Sequence, residues 1–222
     1  MQKFDTTAPV TAVVDVPAGR ISFIAADRAE TTVEVRPADA SKGRDVKAAE
    51  ETRVVLEGGV LRVDVPEQKK ILGPTGVVEV TVQLPAGSRV DGKVAAGELR
   101  GVGRLGDVRF EGAQAVVKLD EAASVRLELQ LGDVSIGRLT GDAEIGTQKG
   151  DLQISEAVRG TVVLRTEHGG ISIVAARGTS ATLDAGTSYG RVHNSLTNAA
   201  GPEAELNIRA TTSYGDITAR SL

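Results

Sequence analysis

With 222 residues, 41% of them hydrophobic, the chain has enough apolar material for one large all-β unit or two small domains. Aromatic residues make up only 2% and tryptophan is absent, so the core has to be layered from Val, Ile, Leu and Ala rather than filled around large rings. The absence of cysteine excludes a disulfide framework and a thiolate metal site, and a net charge of -4 spread over mixed acidic and basic residues excludes the clustered basic footprint of a nucleic-acid binder.

Twenty-six glycines against seven prolines indicate frequent tight turns and many short strands. The N-terminus, MQKFDTTAPV, lacks the charged start and apolar stretch of a secretory signal, and no segment approaches the ~20 apolar residues that span a bilayer. A cytoplasmic location is therefore expected, and a surface role would need an export signal already removed. Residues 10–16, 21–24 and 31–36 have the period-two, β-branched character of strands. Residues 37–51 are polar and charged, which suits a loop or a short helical excursion. Residues 52–56 and 60–65 flank Glu57-Gly58-Gly59 and form an expected hairpin, because adjacent glycines supply the positive φ of a tight turn. A loop over residues 66–76 leads to the longest alternation in the chain, residues 77–84, which Pro85-Ala86-Gly87 ends.

From there a repeat emerges, a glycine followed by a short alternating strand. Its copies are Gly106-Asp107-Val108-Arg109-Phe110, Gly132-Asp133-Val134-Ser135-Ile136, Gly150-Asp151-Leu152-Gln153-Ile154, Gly169-Gly170-Ile171-Ser172-Ile173, Gly190-Arg191-Val192-His193-Asn194 and Gly215-Asp216-Ile217-Thr218-Ala219, with a looser copy at Gly97. Thr147, Thr166, Thr187 and Thr212 each stand three residues before a turn glycine, and another short alternating run precedes each of them. Successive glycines are 26, 18, 19, 21 and 25 residues apart. A two-strand unit of roughly 20 residues is one coil of a solenoid, whereas a propeller blade needs about twice that. The expected fold is an all-β, right-handed β-solenoid (β-helix) of strand-turn-strand repeats over residues 89–222. The strands of residues 1–88 are read as degenerate coils or a small cap. Stacking would place Val134, Leu152, Ile171, Val192 and Ile217 in one core column.

The Val-x-Val-x-Leu-Pro-x-Gly run at residues 80–87, followed by repeated Gly-Asp strands and Thr-x-x-Gly turns, resembles the bacterial β-strand-repeat family of unknown function labelled putative adhesin. The resemblance covers most of the chain from residue 10 and is strongest from residue 77. It implies a solenoid with no established enzymatic activity, no cofactor and no agreed site residues.

Asp107, Asp133, Asp151 and Asp216 share one repeat position. Paired carboxylates about 5 Å apart would suit calcium binding or acid–base cleavage of a polysaccharide, but Asp after Gly also bonds nearby backbone amides, and Gly170 and Arg191 interrupt the column. Turn chemistry is the expected role. Lys149, His168, Tyr189 and Tyr214 precede successive turn glycines and would form a strip of rings and cation suited to sugar or peptide contact, or else cover the last coils. The threonines are expected to form a hydroxyl ladder, and His168 and His193 lie in different strands with no third ligand. No nucleophile elbow, phosphate loop or dinucleotide fingerprint occurs. The expected function is a non-enzymatic binding or scaffolding protein with a protein or carbohydrate partner, no nucleic acid, no membrane span and self-association through open solenoid ends. The C-terminal strand, three residues from the last residue, is the end expected to be open. The alternatives are a β-helix carbohydrate-active enzyme using the aspartates and a cytoplasmic polymer-forming scaffold similar in architecture to bactofilins.

Overall fold

Alternation of small apolar and polar residues makes strands with one buried face, and such strands have to stack before that face leaves water. The computed structural model describes residues 1–66 and 75–222, so the centre of the loop expected over residues 66–76 lies outside the described residues. The protein is all-β, with one α-helix among the described residues, and divides into two compact units, Met1–Ala115 and Val116–Leu222.

The first unit contains β1 (Gln2–Asp5), β2 (Thr11–Ala26), β3 (Glu30–Pro37), helix α1 (Gly43–Glu51), β4 (Arg53–Glu57), β5 (Val60–Asp64), β6 (Val78–Pro85) and the start of β7 (Arg89–Leu131). β2 is its centre. The first half of β2 lies parallel between β5 and β7, with Val14 opposite Val63 and Gly92, and its second half lies parallel between β6 and β7, with Ile21 opposite Val80 and Leu99. The rung that comes first in sequence is thus sandwiched between the two that follow it. On the outer flank β4 runs antiparallel to β5, β3 to β6 and β1 to β3, so the outer rung is covered by hydrogen-bonded strands. The expected hairpin is present, with Gly58 and Gly59 at φ 56° and 78°. The polar stretch of residues 37–51 provides α1, which packs on β3 and β6. Its buried Asp45 accepts the Val77 amide at 3.0 Å. Phe23 and Phe110 are fully buried, and Phe110 occupies the space that a side chain at position 92 would need, since a Cβ there would lie 2.8 Å from its ring.

The second unit contains the end of β7, β8 (Val134–Leu139), β9 (Ala143–Lys149), β10 (Leu152–Ala157), β11 (Gly160–His168), β12 (Ile171–Ala175), β13 (Ala181–Tyr189), β14 (Val192–Ser195), β15 (Leu206–Tyr214) and β16 (Ile217–Ser221). All its strand pairs run parallel and form two columns. One runs β7, β8, β10, β12, β16, β14, and the other β7, β9, β11, β15, β13. The residues expected in one core column are there, in the order Val134, Leu152, Ile171, Ile217, Val192. The last rung in sequence, β15–β16, has slipped between its two predecessors. The expectation that the C-terminal strand forms the open end is therefore corrected: β13 and β14 are the outermost strands.

The reason is legible in β14. Its second inward position holds Asn194, in register with Ala219, and that column continues through Ile173, Ile154 and Ile136. An amide in the middle of that column would be buried without a partner, at a cost of roughly 1–3 kcal/mol. At the end of the stack Asn194 is exposed and its Oδ1 accepts the Leu196 amide at 3.0 Å.

Candidate functional site

The Thr-x-x-Gly turns create a ledge where three columns of residues run side by side. At the base are the glycines, ordered Gly132, Gly150, Gly169, Gly215 and Gly190, each so close to its neighbour that a Cβ on any of the last four would collide with the preceding glycine's carbonyl oxygen. The threonines Thr147, Thr166, Thr212 and Thr187 align in register as expected, but their hydroxyls do not bond one another. Three donate to glycine carbonyls, Thr166 to Gly150 at 3.1 Å, Thr212 to Gly169 at 3.0 Å and Thr187 to Gly215 at 3.0 Å, while Thr147 donates to the Lys149 carbonyl at 3.3 Å. Each of those three turns is thereby tied to the rung beneath it.

Above the threonines stand Lys149, His168, Tyr214 and Tyr189, in that order. The strands are parallel and in register, so the rings are displaced by one strand spacing of about 4.8 Å. His168 and Tyr214 have centroids 4.8 Å apart with planes 7° apart, and Tyr214 and Tyr189 have centroids 4.9 Å apart with planes 4° apart. Two tyrosines 25 residues apart in sequence become neighbours because β15 lies beside β13. The inner faces of the rings cover one another, while Tyr189 is 67% and Tyr214 49% exposed. The outer face of the end ring, Tyr189, has no ring against it, and the outer face of His168 has Lys149 beside it. Truncating the central ring breaks two stacked pairs, each worth about 0.5–1.5 kcal/mol. Tyr214→Ala is therefore expected to cost about 1–3 kcal/mol and Tyr189→Ala about half as much, as measured by urea unfolding.

The aspartates sit on the other side of the turn, and the register orders that column Asp133, Asp151, Gly170, Asp216, Arg191. Each carboxylate is engaged by the next rung. Asp133 Oδ1 accepts the Asp151 amide at 2.9 Å, Asp151 Oδ1 accepts the Gly170 amide at 2.7 Å, and Asp216 Oδ1 accepts the Arg191 amide at 2.8 Å. Asp107, in the first unit, pairs with Arg89 at 3.1 Å. The turn chemistry expected of these residues takes a specific form, a ladder of carboxylate-to-amide bonds between rungs. Asp151→Ala is expected to lower stability by about 1 kcal/mol, and Asp151→Asn by less because an acceptor oxygen remains. Urea midpoints of the two variants check this.

Two features escaped the sequence reading. Asp142 applies the same device in the other column, its Oδ1 accepting the Thr161 amide at 2.8 Å, and the signal was present as a further Gly-Asp-Φ-x-Φ run at residues 141–145. A cleft of about 400 Å³ opens on the outer face of β7, β9 and β11, lined by Glu128, Glu144, Gln148, Arg165 and Glu167 around Gly146. It exists because Gly146 has no side chain at an outward position, and the Glu128 carboxylate folds over the gap, 2.8 Å from where a Cβ would be. His168 and His193 lie in different columns, and no group of three His, Asp or Glu residues able to hold a metal ion occurs among the described residues. No helix among them is long and apolar enough to cross a membrane.

Residues 13–220 match the family model described as Toastrack DUF4097. No curated protein matches the chain. Among solved structures, a putative adhesin from Bacteroides fragilis is similar at a TM-score of 0.57 and 11% identity, over 98% of this chain and 95% of that one. That is a likeness of fold. A putative cell adhesion protein from Clostridium sporogenes aligns at a TM-score of 0.43 and 11% identity, over 100% of this chain and 98% of that one. A putative lipid binding protein from Parabacteroides distasonis aligns at 0.39 and 12% identity, over 98% and 95%.

Proposed function

Because the chain belongs to the Toastrack family, DUF4097, and presents an exposed ring strip, we propose that it is a non-enzymatic binding or scaffolding protein, adhesin-like, built as a right-handed β-solenoid. It takes a protein or carbohydrate partner on Lys149, His168, Tyr214 and Tyr189. The observation that carries this reading is the strip itself. Two nearly parallel stacked ring pairs and a cation stand in one exposed row, held by hydrogen-bonded parallel strands. Rigid rings with polar tips provide contact area at little entropic cost, the property that enriches tyrosine at recognition surfaces. The aspartates are the natural place for hydrolytic chemistry, and their engagement with rung amides argues for a structural role instead.

The chain has two tyrosines and no tryptophan, so its intrinsic fluorescence reports on this strip alone. Titration with a panel of acidic and neutral polysaccharides and tyrosine-, proline- and acid-rich peptides is expected to shift that fluorescence. Binding, followed by calorimetry, should weaken at least tenfold in Tyr189→Ala. A panel that leaves the signal unmoved sinks the reading. Cleavage of any of these polysaccharides, lost in Asp133→Asn or Asp151→Asn, would replace it with the enzymatic one.

A further inference from the structure

The outermost rung of the second unit is unfinished. Among the described residues β13 pairs only with β15 and β14 only with β16. The Leu206 amide donates to the Ser180 carbonyl at 3.2 Å, whereas the Ala181 amide donates to the Thr197 carbonyl on the opposite edge at 3.1 Å. Main-chain groups alternate along a strand, so the N–H and C=O of Leu183, Ala185 and Thr187 point outward beyond the reach of that loop contact. Side chains tell the same story. Ile208 and Ile217 in the adjoining rung are 1% and 0% exposed, whereas Leu183 is half-buried and Val192 is 42% exposed. Natural edge strands are blunted with lysine, proline, bulges or inward charge. β13, ATLDAGTSY, has a single charge, the outward Asp184.

We propose that this edge pairs with β13 of a second copy of the chain, antiparallel about a two-fold axis at Gly186. The register follows from β13 itself. A two-fold pair joins like faces when it is centred on a residue, and three centres keep most of the strand paired. Centring on Asp184 sets two carboxylates opposite each other. Centring on Ala185 drives Tyr189 onto the partner's Ala181, whose edge the Thr197 carbonyl already occupies. Centring on Gly186 avoids both. It places Asp184 opposite the hydroxyl of the partner's Ser188, Ala185 opposite the partner's Thr187 and Leu183 opposite the partner's Tyr189, covering a half-buried leucine and an exposed ring. At Ala185 and Thr187 outward-pointing main-chain groups then meet outward-pointing ones, while the Tyr189 carbonyl stays with the Gly215 amide of its own chain. Gly186 itself falls at a non-hydrogen-bonded position, where the Cα atoms approach to about 4.5 Å. An added Cβ there meets nothing within 4 Å of its own chain.

This deepens the scaffolding side of the proposed function by naming a second copy as the partner; Tyr189 serves both the ring strip and this pairing, and sedimentation separates the two. Sedimentation equilibrium of the full chain is expected to show a concentration-dependent dimer. Gly186→Lys, which opposes two ammonium groups at the axis, should weaken dimerisation at least tenfold while leaving the circular dichroism spectrum unchanged. In this cysteine-free chain Gly186→Cys should form a covalent dimer on mild oxidation, since that Cα spacing lies within disulfide range. Ser41→Cys, exposed in the first unit, should not. A strict monomer at every concentration overturns the proposal. So does a dimer that survives Gly186→Lys without crosslinking through Gly186→Cys, and so do open filaments in electron micrographs. A monomer whose fluorescence still responds to ligand removes the dimer and leaves the ring strip intact.

Discussion

Gly169→Ala is expected to destabilise the second unit more than any exposed substitution in the chain. Gly169 stands at φ 155°, and a methyl there would collide with the carbonyl oxygen of Gly150. A backbone value reserved for glycine costs a side chain roughly 1–3 kcal/mol, and overpacking against an atom that cannot move adds roughly 1–3 more. The loss of about 2–6 kcal/mol is a large share of the roughly 5–15 kcal/mol that holds a domain together. The damage also spreads, because the collision pushes apart two rungs that Thr166 joins through Gly150, and it displaces Gly169, through which Thr212 ties on the next rung. Urea unfolding followed by circular dichroism reads the effect. Gly186→Ala is the control, an outward glycine with open space around its Cα, and should change stability by no more than about 0.5 kcal/mol. Equal effects at the two positions would mean that the rungs do not approach at the turn as described.

Ile208→Ala is expected to cost about 2–5 kcal/mol, and Leu183→Ala about 1 kcal/mol or less. The two residues hold the same position in adjacent rungs, directly opposite each other. Ile208 is 1% exposed between Val162 and Leu183, while Leu183 has a neighbouring rung on one side only. A chain stacked in sequence order would reverse the pair, with Leu183 interior and Ile208 at the end. The same inequality should appear in native-state hydrogen exchange, where the amides of β15 outlast those of β13. Slower exchange in β13 than in β15 would refute the intercalated order.

Much of this arrangement was visible in the residues. Period-two alternation located the strands, the paired glycines located the β4–β5 hairpin, and the spacing of the turn glycines grouped the residues that share a column. Those patterns are local, and local patterns survive into the structure wherever stacking rewards them. The polar stretch before the hairpin pointed to a loop or short helix, and α1 forms there against β3 and β6. The Asp142 rung bond and the Gly146 cleft went unread because a single Gly-Asp run and a single outward glycine look like ordinary turn chemistry until their neighbours are known.

By itself, then, the sequence determined that the chain is all-β, that its core is small and branched, and which side chains share a column at each turn. It also contained the mark of the end rung, since Asn194 stands where the other copies place Ala, Ile or Phe. What only the tertiary structure decided was the order of the rungs. In the first unit the first rung lies between the second and third, and in the second unit the last lies between its two predecessors. Parallel strands of equal length and similar pattern pair almost equally well in any order, so the repeat cannot choose among orders. The choice falls to which rung can least bear burial, and that is a comparison among rungs rather than a property of any one of them. The same comparison puts Tyr214 between His168 and Tyr189, turning four scattered residues into one strip.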